Sequence, residues 1–144
     1  MSEENKDFVP KIVGIFCYWC TTQAAELAGT SRMVYPQNIR IVKTMCTSRV
    51  DPQLIMWAFK EGADGVLVSG CHPPGDCHYV DGNVKWYRKY SLLKKMIEQI
   101  GIDPKRLRQE WISASEADKL KQVVTEFTSY IKSIGPLNFQ DGEK

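Results

Sequence analysis

The sequence predicts an α/β domain: a four-stranded parallel sheet flanked by helices, of flavodoxin or Rossmann-like type. Three observations carry that expectation. Short apolar runs alternate with helix-forming segments, strand then helix, four times over. The third run, "DGVLVSG", shows no polar alternation, as a strand buried on both faces requires. The 144 residues, 43% hydrophobic and 25% charged, suffice for one folded domain with its own core.

Residues 1–10, "MSEENKDFVP", form a polar, acidic N-terminal extension. They lack the basic and apolar regions of a signal peptide, which places the chain in the cytoplasm. "KIVGIF", 11–16, reads as a buried first strand, and "TTQAAELAG" as a short helix stopped at Gly29. "NIRIVKTM", 38–45, reads as a second strand. Asp51-Pro52 makes a cap and first turn for a helix through "QLIMWAFKEG", ending at Gly62. The third strand is 64–70. Asn83 is the expected cap of a long helix that ends at Gly101, with Val84, Tyr87, Ser91, Met96, Ile97 and Ile100 on its inner face. "RLRQEWI", 106–112, is the fourth strand. "SASE", 113–116, matches a capping box before a helix with Ala117, Leu120, Val124, Phe127, Ile131 and Ile134 on one stripe. Gly135-Pro136 stops it. The domain therefore runs from 11 to 136, and 137–144 read as a flexible tail. No apolar run approaches the ~20 residues of a membrane span. The formal net charge of +2 neither favours nor excludes nucleic acid.

The five cysteines carry the chemistry. Cys17, Cys46 and Cys71 each follow a strand, so a parallel sheet brings all three to the edge where open α/β sheets bind ligands. Cys20 lies three residues past Cys17 at the start of the first helix, and Cys77 lies in the loop after Cys71. In a cytosolic chain such grouped thiols read as metal ligands or redox groups rather than disulfides. The turn after the first strand, "CYWCTTQAAELAG", has no glycine before Gly29, so G-x-G-x-x-G is absent. So is G-x-x-x-x-G-K-S/T, which leaves no nucleotide loop. Three thiol chemistries remain. A thioredoxin-like dithiol at Cys17 and Cys20 leaves three cysteines unexplained. Structural zinc is little needed by a domain of this size. A four-thiolate iron–sulfur cluster uses nearly all the cysteines and suits loops rich in backbone N–H groups. The cluster ranks first, zinc second and the dithiol third. His72 and His78 are able to replace a thiolate on one iron, but with five thiols present they are read first as ordering their loop by hydrogen bonds to carbonyls. Tyr18, Trp19 and Trp57 are read first as core, and otherwise as shields against water.

The residues "CYWC", "AAELAG", "CTSRVDP", "GADGVLVSGCHPPGDCHYVDGN" and "WISASEADK" resemble, in order, the delta-subunit family of methyl-viologen-reducing nickel–iron hydrogenases of methanogens. The resemblance spans about residues 11 to 134. It implies a non-catalytic 2Fe–2S electron-transfer subunit whose metal residues are Cys17, Cys20, Cys46, Cys71 and Cys77. The implied partners are the hydrogenase small and large subunits and the FAD-bearing, iron–sulfur A subunit of heterodisulfide reductase, in a hetero-oligomeric complex of flavin-based electron bifurcation in methanogenesis. No nucleic acid or membrane partner is implied. Which four cysteines ligate is left open, with Cys20 taken as the spare.

Residues 83–108 add a further feature. They hold eight cations (Lys85, Arg88, Lys89, Lys94, Lys95, Lys105, Arg106 and Arg108) against two acids, Glu98 and Asp103. A solvated helix face is the ordinary explanation, and a docking surface for an acidic partner the functional one.

Overall fold

The computed structural model describes residues 8–72 and 81–137. Four strands alternate with four helices: β1 (Ile12–Cys17), α1 (Thr21–Thr30), β2 (Ile39–Thr44), α2 (Pro52–Lys60), β3 (Gly65–Gly70), α3 (Gly82–Ile100), β4 (Leu107–Trp111) and α4 (Ala117–Ile134). Short 3₁₀ turns at Thr47–Arg49 and Pro104–Arg106 precede α2 and β4. Every strand pair is parallel, in the order β2-β1-β3-β4. These are the first four positions of the flavodoxin-like order, and the chain reverses direction across the sheet between β1 and β3.

Both faces of the sheet are covered. Ile15, Val66, Val68 and Leu107 pack with Ile55 and Phe59 of α2 and with Trp86, Leu93 and Ile97 of α3. Ile12, Phe16 and Leu67 pack on the other face with Ala24 of α1 and with Leu120, Val124, Phe127 and Ile131 of α4. All six residues of β3 are buried, as its unbroken apolar run predicts. β2 is an edge strand, so Ile41 and Val42 remain exposed despite their apolar character. Among the described residues no helix is long and apolar enough to cross a membrane.

Four local expectations are corrected. Gly29 does not stop α1: the helix runs through it to Thr30, and the turn falls at Ser31 and Arg32, which takes φ 56°. Asn83 does not cap α3. Asp81 holds the N-cap position, and the Asn83 amide is turned inward, its Nδ2 donating to Cys71 O at 2.9 Å. The inner face of α3 is set by Trp86, which is fully buried. Leu93 and Ile97 share that face with Tyr90, while Val84, Tyr87, Met96 and Ile100 are exposed. The capping box is half formed. Glu116 accepts from Ser113 N at 3.0 Å, but the Ser113 hydroxyl lies against Ser115 Oγ at 3.3 Å.

Asp64 closes the edge of the sheet where the strands begin. Its carboxylate accepts from Lys11 N (2.9 Å) and Leu137 N (3.1 Å). Arg106, buried, donates to Asp64 O and Gly135 O, both at 2.9 Å. Leu137, assigned to the tail by sequence, is thus anchored and packs against the core. Residues 1–7 and 138–144 lie outside the described residues.

Candidate metal centre

Cys17 is the last residue of β1, and Cys71 directly follows β3. They flank the point where the strand order reverses, so their side chains meet: Cys17 Sγ lies 3.9 Å from Cys71 Sγ. Cys20 joins them because the strand-to-helix turn is so short. It occupies the N-cap of α1, a position usually held by Ser, Thr, Asp or Asn. Its side chain makes no cap hydrogen bond and instead places Sγ 3.0 Å from Cys71 Sγ. The three sulfurs all lie within 4.8 Å of one another. A disulfide needs about 2.05 Å, and all three cysteines are free thiols. Cys46, two residues past β2, is buried in the same cluster.

Gly70 permits this convergence. A Cβ there would lie 2.6 Å from Thr47 Cγ2, so only glycine lets the end of β3 approach the turn that follows Cys46. The buried Thr21 hydroxyl reaches Ser69 Oγ (3.1 Å) and Ile112 O (3.2 Å), tying the first turn of α1 to β3 and to the end of β4. Tyr18 and Trp19 bridge Cys17 and Cys20 in the chain. Their rings meet edge to face at 5.2 Å and are 37% and 39% exposed, so they line the rim rather than the core. Trp57 belongs to a different place. It stands exposed on α2, its Nε1 donating to Glu61 Oε1, beside an apolar depression lined by Val13, Ile15, Val42 and Leu54.

His72 bonds through Nε2 to the Glu116 carboxylate rather than to a carbonyl. Glu116 also accepts from the Ser113 N–H, and that bond first, then His72, holds its carboxyl down at about 2. Sequence reasoning gave Glu116 only a capping role. The signal for more was its spacing, since a capping-box glutamate reaches back towards the end of the preceding strand. His78 and Cys77 lie outside the described residues, as do Pro73, Pro74 and Gly75.

The electrostatics of the three thiols are one-sided. Cys17 is held down at about 3, by the S–H groups of Cys20 and Cys71 and then by the N–H groups of Trp19 and Cys20. Cys20 is pushed up to about 12, chiefly by its hydrogen bond to Cys17 and then by burial. Cys71 is raised further, by both neighbouring sulfurs and by burial. Among the described residues no lysine, arginine or histidine contributes to these shifts. The arrangement therefore favours negative charge on Cys17 over its two neighbours, through two thiols and two amides. Holding all three as thiolates requires a cation between them. Three soft donors, buried and short of positive charge, fit a thiophilic metal.

A family profile described as methyl-viologen-reducing hydrogenase, delta subunit, matches residues 12–135. The chain is 49% identical over 140 residues to the iron-sulfur D subunit of the F420-non-reducing hydrogenase of Archaeoglobus profundus, covering 97% of this chain and 99% of that one. It is 47% identical over 136 residues to the iron-sulfur D subunit of the F420-non-reducing hydrogenase vhc of Methanococcus voltae, 94% of each. It is also 44% identical, over 133 residues, to the A subunit of the ferredoxin:CoB-CoM heterodisulfide reductase of Methanosarcina mazei. Those residues are 92% of this chain and 17% of that protein.

Proposed function

The chain belongs to the methyl-viologen-reducing hydrogenase delta-subunit family, and from that membership we propose that it is a 2Fe–2S electron-transfer subunit without a catalytic site of its own. It relays electrons from a nickel–iron hydrogenase to the FAD-bearing A subunit of heterodisulfide reductase, in a cytoplasmic hetero-oligomeric complex of flavin-based electron bifurcation. The observation that carries the reading is the buried trio Cys17, Cys20 and Cys71 at the ligand-binding edge of the sheet. These three are assigned as ligands, and Cys46, buried beside them, as the fourth. Cys20, expected from sequence as the spare, moves into the ligand set, and Cys77 becomes the fifth thiol.

When bound, a 2Fe–2S cluster supplies one-electron redox chemistry at a potential tuned by charge, hydrogen bonds to sulfur and exposure. The chain supplies the setting. The Trp19 and Cys20 amides point at the Cys17 sulfur. The first turn of α1 directs the positive end of its dipole at the trio. Tyr18 and Trp19 limit the approach of water. Asn83 fixes the carbonyl of Cys71 and so the start of the following loop. The dithiol alternative finds a low-pKa thiol in Cys17, but that residue is only 2% exposed, too enclosed to attack a protein disulfide.

The test is reconstitution of H₂-dependent heterodisulfide reduction from purified hydrogenase and reductase, with and without this chain. The relay role predicts that the reaction requires it, while hydrogenase activity towards an artificial dye does not. Equal rates in both mixtures would exclude the role. Reduction of insulin disulfides by the isolated chain, dependent on Cys17 and Cys20, would establish the dithiol reading instead.

A further inference from the structure

The cations counted in the sequence between residues 83 and 108 do not form one surface. Arg106 is buried and structural, donating to Asp64 O and Gly135 O. Arg108 pairs with Glu110 (2.8 Å) and Glu126 (3.3 Å). Lys94 donates to Tyr90 Oη, and Lys105 lies over the Tyr130 ring. Lys85, Arg88, Lys89 and Lys95 are left on the exposed side of α3. Among the described residues only Lys85 has a carboxylate partner, Asp81 at 3.5 Å. In the middle of these cations stand two exposed apolar side chains, Leu92 (63%) and Met96 (49%).

This face is joined to the thiol edge at two points. Asn83, in the first turn of α3, holds Cys71 O. Lys89 Nζ donates to Ser48 O at 2.8 Å, in the 3₁₀ turn that follows Cys46, and that turn ends in a further exposed cation, Arg49. The basic face thus begins beside Cys46 and Cys71 and continues along α3.

We infer that Arg49, Arg88, Lys89 and Lys95, around Leu92 and Met96, form the docking surface for an acidic protein partner that exchanges electrons at the thiol edge. A ring of like charge around a small apolar centre steers an oppositely charged surface into register, and it does so without requiring a large, tight interface. The electron-exchange part of the inference rests on the function proposed above, whereas the docking part rests on charge and placement alone.

The experiment measures affinity of the metal-loaded full chain for purified hydrogenase and, separately, for purified heterodisulfide reductase. The test variant is Arg88→Glu with Lys95→Glu. The control is Lys121→Glu with Lys132→Glu on α4, which makes the same change in net charge on another helix. The test variant should lose at least about tenfold in affinity for one of the two proteins at low salt, and the loss should shrink as salt screens the contact. The control should stay within about twofold of the parent. Equal losses in both variants, or no loss in either, would overturn the inference. So would tighter, α3-dependent binding to a mixed-sequence DNA duplex than to either protein. If the double variant folds poorly, Lys95→Glu alone is read in the same way. Iron and sulfide are assayed on every sample. Their absence counts against the proposed cofactor and leaves the docking result standing, whereas their presence with unchanged affinity counts against the docking surface alone.

Discussion

At the edge where the strands begin, Asp64 and Arg106 are buried against backbone groups of the chain itself. At the edge where they end, Cys17, Cys20 and Cys71 are buried against one another. The first edge is complete: the Asp64 carboxylate accepts from two N–H groups, and the Arg106 guanidinium donates to two carbonyls. The second edge gathers three thiols that lower or raise one another, and among the described residues no lysine, arginine or histidine contributes to those shifts. Burial of polar groups at one edge of the sheet therefore serves the fold, and at the other it prepares a ligand site.

The sharpest way to separate the two edges is to remove one group from each. Cys20→Ser or Cys71→Ser should lower metal content by at least about tenfold, since each removes a thiolate from the trio. Metal analysis by mass spectrometry checks it. If Cys46→Ser retains iron and Cys77→Ser loses it, the fourth ligand is Cys77. Asp64→Ala should act in the opposite sense. It strands the Lys11 and Leu137 N–H groups and removes the carboxylate near Arg106, at a cost of about 2–4 kcal/mol. Denaturant unfolding reads that loss, and metal per folded chain should not change. An Asp64 variant that folded normally but lost its metal would break the division between the edges.

Gly70→Ala probes where fold and site meet. Its Cβ would displace Thr47, so it should cost about 1–3 kcal/mol and also reduce metal retention, because Cys46 and Cys71 flank the contact. Gly14→Ala is the comparison in mid-strand. Its Cβ would meet Ile39 Cδ1 at 2.9 Å and the buried Phe16 ring at 3.0 Å, away from the thiols, so it should cost stability while metal per folded chain holds.

The smallest effect is expected at Glu116. Its carboxyl sits at about 2 in the folded chain against an ordinary 4.5, so its stabilisation is present above pH 4.5 and is lost as pH falls from there towards 2. With its side chain 33% exposed, screening limits the contribution to on the order of 1 kcal/mol. Glu116→Gln should flatten that part of the stability profile, and an unchanged acid limb would show that the bonds to Ser113 and His72 add nothing.

The parallel sheet and the meeting of Cys17 with Cys71 were legible because apolar runs end where the cysteines begin, and parallel strands end on one side. The position of the Cys20 sulfur was not legible. Counting residues says that it lies near Cys17, but only the two-residue turn and the orientation of the N-cap send its sulfur towards Cys71. The inner face of α3 was misread for a related reason. Periodicity alone offers several apolar stripes on that helix, and the large indole of Trp86 decides which one is buried. Asn83 illustrates the same limit: its type suits a cap, yet its amide serves the Cys71 carbonyl at the thiol edge.

The central claim, that the thiol edge is completed by a 2Fe–2S cluster, is tested most directly on anaerobically purified chain by iron and acid-labile sulfide analysis with a visible spectrum. A 2Fe–2S cluster gives a brown protein with about two irons and two sulfides per chain. A colourless protein with one zinc and no sulfide would contradict it.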